Sequence, residues 1–134
     1  MKREYKHTQE AIKQRGEIFT PTWLVDNMLD KIPSELFTDP TKTVLDNSCG
    51  NGQFLYNILI RRLKNNISHM DALLTIYGVE LDSKNAQDCR ERLLMGSTDP
   101  DLMDIVNNNI ICADTLDPHH QGWQTVGYMW KNNI

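Results

Sequence analysis

Apolar side chains recur along this chain in two rhythms, and the alternation between them predicts the architecture. Leu24, Val25, Met28, Leu29 and Ile32 fall at helical spacing and give one apolar face. Thr20-Pro21 just before them reads as a helix start, with Thr20 as N-cap and Pro21 at the first helical position. Pro33, Pro40 and the polar residues between them end that helix and form a connection. Thr43-Val44-Leu45 is a short β-prone run that stops at Asp46 and the glycines Gly50 and Gly52. Phe54, Leu55, Ile58, Leu59 and Leu63 mark the next helix face, and Leu74 to Val79 predicts a second, buried strand ending at Glu80. Ser83 to Met95 reads as a helix with Gly96 to close it. Asp99-Pro100 starts another, and Ile110-Ile111-Cys112-Ala113 is a third strand before Asp114. Residues 1–15 are polar and charged, an arm or a helix, while Thr125 to Trp130 has the makings of a last strand.

Strands that alternate with helices imply parallel βαβ units with right-handed crossovers, hence an α/β fold. Each predicted strand ends in a carboxylate: Asp46, Glu80 and Asp114. In open α/β sheets ligands lie outside the carboxyl ends of the strands. The acids therefore stand where a ligand is expected.

Between the first strand and its helix runs Asp46-Asn47-Ser48-Cys49-Gly50-Asn51-Gly52-Gln53-Phe54. Glycines in such a loop let the backbone approach a ligand closely, and the following helix start offers N–H groups to a negative group. The third glycine of the dinucleotide fingerprint is missing, because Leu55 occupies its place. A nicotinamide or flavin dinucleotide is disfavoured. Glu80 can accept from both hydroxyls of a ribose, Asp114 from an exocyclic amine, and Asp46 can face an ammonium. Together they suit a molecule with an amino acid at one end and adenosine at the other. S-adenosylmethionine fits that description.

Composition narrows the setting. At 40% hydrophobic and 24% charged residues the chain can form one modest core, and we expect residues 16–134 to be a single domain. A net charge of −4 argues against a freestanding nucleic-acid binder, since phosphate neutralisation needs surplus Lys and Arg. The basic clusters Lys2-Arg3, Lys13 to Arg15 and Arg61-Arg62-Lys64 read as solvated helix faces. Cys49, Cys89 and Cys112 are far apart in sequence and lack metal-ligand spacing, which suits a reduced, cytoplasmic setting. His119-His120 has no third ligand in view, so no metal is expected. No run approaches membrane-spanning length, and Met1-Lys2-Arg3-Glu4 is no secretory signal.

Val44 to Leu55 resembles the first motif of the N6-adenine DNA methyltransferases of restriction-modification systems, with Asn47 and Ser48 where that family most often has Pro and a small residue. Ile76 to Asp82 is similar to the second motif and Ile111-Cys112-Ala113-Asp114 to the third. Gly16-Glu17-Ile18-Phe19-Thr20-Pro21 resembles the segment preceding the first motif. The resemblance implies a truncated Rossmann-like class I methyltransferase sheet, mainly parallel, with a helical segment in front. It implies S-adenosylmethionine as cofactor, held by Thr20, Asp46, Gly50, Gly52, Phe54, Glu80 and Asp114, with Thr20 closing over the methionine part. Those enzymes do their chemistry with an Asn/Asp-Pro-Pro-Tyr/Phe loop after the fourth strand, and this sequence has no such tetrapeptide. No catalytic residue is named, and inactivity of the chain alone is expected. A fourth strand that is missing leaves the first as an open edge, to be capped by the Thr125–Trp130 segment or by another chain, a second copy or a partner methyltransferase. Trp123, Tyr128 and Trp130 suit an interface. DNA is expected to bind weakly or through that partner. The alternative is a non-catalytic binder of the cofactor, a decoy, inhibitor or regulatory subunit.

Overall fold

The computed structural model describes residues 20–114. Within them the order is α1 (Thr22–Asp30), α2 (Glu35–Thr38), β1 (Val44–Asp46), α3 (Gln53–Lys64), α4 (His69–Leu74), β2 (Ile76–Glu80), α5 (Ser83–Leu94), α6 (Pro100–Asn109) and β3 (Ile110–Cys112). The strands form one parallel sheet in the order β1-β2-β3. This is the α/β arrangement expected, compatible with a truncated Rossmann-like methyltransferase fold. Residues 1–15, Gly16 to Phe19, His119-His120, Trp123 and the strand expected over Thr125 to Trp130 lie outside the described residues.

Pairing of β1 with β2 sets Val44 opposite Ile76 and Asp46 opposite Gly78, and β3 sets Cys112 opposite Glu80. Alternate residues point to opposite faces. Ile76 and Ile110 therefore join the main core, built with Val25, Leu29, Leu55, Ile58, Leu59, Leu73, Leu93, Leu102 and Val106 from the helices. Leu45, Val79, Ile111 and Ala113 form a separate cluster on the other face. α3 is the hub, touching α1, α2, α4 and α5, while α6 packs on α4 and α5.

Some boundaries differ from the periodicity reading. Pro21, not Thr20, occupies the N-cap of α1: its ψ of 146° is extended, and its carbonyl accepts from Leu24 and Val25. Proline fits the position because it has no N–H to satisfy. Leu74 and Thr75 belong to the end of α4 and not to β2. There the apolar run conceals a helix, because Ser68 caps it by accepting from the Asp71 N–H at 3.1 Å. The Pro33–Pro40 connection holds the short α2. Ala113 lies just past β3. The start at Asp99-Pro100 stands as read, with Asp99 accepting from the Asp101 N–H at 2.9 Å.

The basic cluster on α3 also needs correction. Arg62 is fully buried, not solvated. Its guanidinium donates to the carbonyls of Leu36 (2.9 Å), Lys42 (2.7 Å) and Ala72 (2.9 Å) and to Thr75 Oγ1 (2.7 Å). Thr75 donates its own hydroxyl hydrogen bond to the Pro40 carbonyl, 2.7 Å away. Asn109 Nδ2 reaches the carbonyls of Leu73 and Leu74 at 3.2 and 3.3 Å. These contacts stitch together the chain just before each strand begins. Lys64 is exposed as read, and Arg61, half-buried, pairs with Asp30 at 2.9 Å and lies over the Phe37 ring.

Candidate functional site

The opposite end of the sheet is built differently. By register Asp46 stops level with Gly78, two positions short of Glu80. The loop from Asn47 to Gly52 fills that step. Its Cys49 N–H donates to the Val79 carbonyl at 2.9 Å, so the loop backbone runs on beside β2. On the other flank, Ala113 N–H donates to the Glu80 carbonyl at 3.0 Å. The tip of β2 is held from both sides, with Asp46 behind one flank and Asp114 directly after the other.

Glu80 then couples strand to loop. One carboxylate oxygen accepts from the Gly50 N–H at 3.1 Å, the other from the Asp82 N–H at 2.8 Å. Each carboxylate oxygen has a second lone pair. The carboxylate thus fixes the loop and keeps acceptor capacity for a further donor. Asp82 caps α5 by accepting from the Asn85 N–H at 3.0 Å. Between these two acids Leu81 is 69% exposed, a large apolar side chain standing at the sheet tip. The pattern reading passed over it; an apolar residue wedged between two site acids is the signal that marks it.

The two loop glycines answer different needs. Gly50 has a φ of +55° and open space where a Cβ would stand. Gly52 has a φ of +88°, and a Cβ there would lie 2.7 Å from Cys89 Sγ and 3.0 Å from Cys89 Cα. Close packing on α5, besides backbone conformation, demands glycine at 52. Gly78 makes a matching contact from the strand: a Cβ there would lie 2.9 Å from both Cys49 Sγ and Leu55 Cδ1. In dinucleotide-binding folds the third glycine of the fingerprint serves close helix–strand packing. Here Leu55 stands in that place, and Gly78 supplies the room from β2.

Asp46 is half-buried and accepts from the Ser48 N–H at 3.1 Å. Burial pushes its carboxyl above the usual range, against the lowering effect of that bond. Among the described residues no Lys, Arg or His forms an ion pair with it. A desolvated carboxylate of this kind is stabilised by any cation brought to it. α3 starts on Gly52, which has no side chain to cap it, so its first N–H groups have no side-chain acceptor at the cap.

Asp46, Gly50, Gly52 and Glu80 are brought together by this geometry, and Asp114 is placed at the same sheet end. Phe54, in the first turn of α3, is half-buried against the main core. Thr20 is half-buried ahead of α1, and no hydrogen bond links it to the loop or the acids. The neighbouring Cys89 thiol and burial push the Cys49 thiol far above the ordinary thiol range. No helix among the described residues is long and apolar enough to cross a membrane.

Comparison with known proteins gives one family. A family model described as N-6 DNA Methylase matches residues 5–132, nearly the whole chain. No curated protein matches the sequence.

Proposed function

The chain belongs to the N-6 DNA methylase family, and from that premise we propose that its sheet tip seats S-adenosylmethionine. The coupling of the glycine loop to Glu80 carries this reading: one carboxylate positions the Gly50 backbone and keeps lone pairs for a ribose. Asp46 faces the ammonium of the methionine part, which relieves its desolvation, and the uncapped start of α3 meets the carboxylate. Leu81 offers an apolar surface to the adenine ring, whose exocyclic amine Asp114 accepts from. Phe54 and Thr20 complete the list of proposed contacts, Thr20 by closing over the methionine end. The bound cofactor supplies an electrophilic methyl group. The residues of this chain hold it and keep its acids oriented; none of them takes the target amine.

Family membership makes this a DNA methyltransferase-like protein, and in such chemistry the acceptor is the exocyclic amine of an adenine taken out of the stack. These 134 residues contain no Asn/Asp-Pro-Pro-Tyr/Phe tetrapeptide to receive it. That element would come from residues outside these 134, on this or a second chain, paired along the free side of β1, where the described residues offer no strand. With a charge of −4, DNA contact belongs mainly to the partner. The same missing tetrapeptide favours a second reading, in which the chain binds the cofactor without catalysis and regulates a full-length methyltransferase.

Calorimetry with S-adenosylmethionine tests the seat. Glu80→Ala removes the ribose acceptor and the Gly50 anchor together, and should weaken binding by about 1–3 kcal/mol. Unchanged affinity would place the pocket elsewhere. Tritiated methyl transfer to DNA should be absent for the chain alone and should appear on adding a chain that carries the tetrapeptide. Loss of a full-length methyltransferase's activity on mixing would instead favour the regulatory reading.

A further inference from the structure

The two faces of the sheet are unequally provided. Each of the six described helices contributes a buried side chain to the main core. None contributes to the second cluster, where Leu45, Val79, Ile111 and Ala113 meet. Tyr77 alternates with Ile76 and so faces the same side as Val79. Yet Tyr77, Val79 and Ala113 are each only 3% exposed. Neighbouring strands lie beside such side chains and cannot lie over them. Burial of a tyrosine ring on a sheet face needs something stacked on that face. We propose that residues 115–134 of this chain lie across the second face of the sheet, and that their aromatic side chains are core and not an interface.

The course of the chain leaves this path open and closes the others. After β3 the backbone could extend the sheet outward, return through the helix layer or cross the far face. The outward edge of β3 is closed at Ile110. Ala113 N–H bonds to β2, so by alternation the backbone groups of Ile110 point away from it. Ile110 N–H donates to the Val106 carbonyl, and its own carbonyl accepts from Arg90 Nε at 3.1 Å and Nη2 at 2.7 Å. The first face is filled by the helices. Both crossovers run over that face as the chain steps from β1 to β2 to β3. A chain that steps back towards β1 keeps the same hand only by crossing the other face.

Residues 115–134 have the reach and the composition for it. Thr115 to Gln124 spans about 33 Å when extended, against roughly 15 Å across three strands. Leu116, Trp123, Val126, Tyr128, Met129 and Trp130 supply apolar surface. Residues 1–15, by contrast, are polar and charged and lead towards α1, which belongs to the helix layer. Val79 and Ala113 each precede an acid, Glu80 and Asp114, so the cover supports the sheet tip from behind. An added chain then meets the sheet along the free side of β1 and not through Trp123 or Trp130.

The inference stands apart from the cofactor reading, and its test needs no ligand. In the full chain Ile111, half-buried on the second face, is replaced by the photo-crosslinking residue p-benzoylphenylalanine, irradiated and mapped by peptide mass. We expect a crosslink to a peptide within residues 115–134, at the mass of a single chain. Attachment to residues 1–19, to a second copy at doubled mass, or to nothing overturns the proposal. Leu45, also half-buried on that face, is the second position should the Ile111 variant not fold. Independently, Trp23→Phe removes the exposed tryptophan of α1 and leaves Trp123 and Trp130 to report. Their emission should be blue-shifted from that of free tryptophan and quenched several-fold less by iodide. Quenching equal to that of the free amino acid overturns the proposal as well.

Discussion

The two ends of the sheet are made from the same material and arranged to opposite purposes. At the amino end, Arg62 serves four acceptors that would otherwise be buried and unpaired, and Thr75 and Asn109 close further carbonyls. Donors there are spent on acceptors of the same chain. At the carboxyl end Glu80 keeps lone pairs in hand, Asp46 stays desolvated without a cation from the described residues, and α3 begins uncapped. The contrast teaches where to look for binding in a small α/β unit. Stability gathers where polar groups satisfy one another, and a ligand is wanted where they are left incomplete.

Breaking the amino end should have the largest effect. Arg62→Ala strands three carbonyls and a hydroxyl and opens a cavity, so we expect a loss of about 3–5 kcal/mol in urea unfolding, enough to unfold a domain this small. Arg62→Lys should fail nearly as badly, because a single ammonium cannot span acceptors arranged around a planar fork. If Arg62→Lys folds like the parent, the contrast between the ends is wrong.

The loop glycines sharpen the comparison at intermediate size. Gly52→Ala meets Cys89 and a positive φ together, and should cost about 2–4 kcal/mol of stability. Gly50→Ala meets open space, so only the backbone penalty of about 1 kcal/mol applies to the fold. Its added methyl, however, stands where the ligand is proposed to pass, and affinity should drop while stability barely moves. Equal destabilisation by both would mean the space above Gly50 is filled.

Asp46 gives the smallest and most diagnostic effect. Its carboxyl titrates above the ordinary value of 3.8 because burial disfavours the charge. The folded state therefore holds this proton more tightly than the unfolded chain. The resulting stabilisation is complete below pH 3.8 and is lost as pH rises through the raised folded value. At neutral pH the ionised group is a net cost. Asp46→Asn should raise the neutral-pH midpoint of thermal unfolding slightly and remove this pH dependence, while weakening S-adenosylmethionine. A variant less stable at pH 7 than the parent would show that Asp46 already has a cation.

Much of the frame could be read from one sequence. The βαβ alternation, the acids at three strand ends and the Asp99-Pro100 helix start are local patterns, and local sterics and capping enforce them wherever they occur. Leu74 and Thr75 were misplaced in a strand because a short apolar run suits either element, and only the Ser68 cap decides it. Thr20 lost the N-cap to Pro21 for a similarly local reason, one residue's φ and ψ.

What pattern could not supply were the long-range partners. Arg62 looks like any cation in a basic triplet; its burial depends on carbonyls from Leu36, Lys42 and Ala72, which only packing assembles. Gly78 is an ordinary strand residue until Cys49 and Leu55 arrive above it, and Cys89 is an ordinary helix residue until the glycine loop lies on it. Sequence alone determined the alternation of strands with the longer helices, the three acids and the glycine bend, because these follow from spacing along the chain. Tertiary structure alone decided which end is sealed and which glycine answers to packing, because hydrogen bonds and steric contacts act through space.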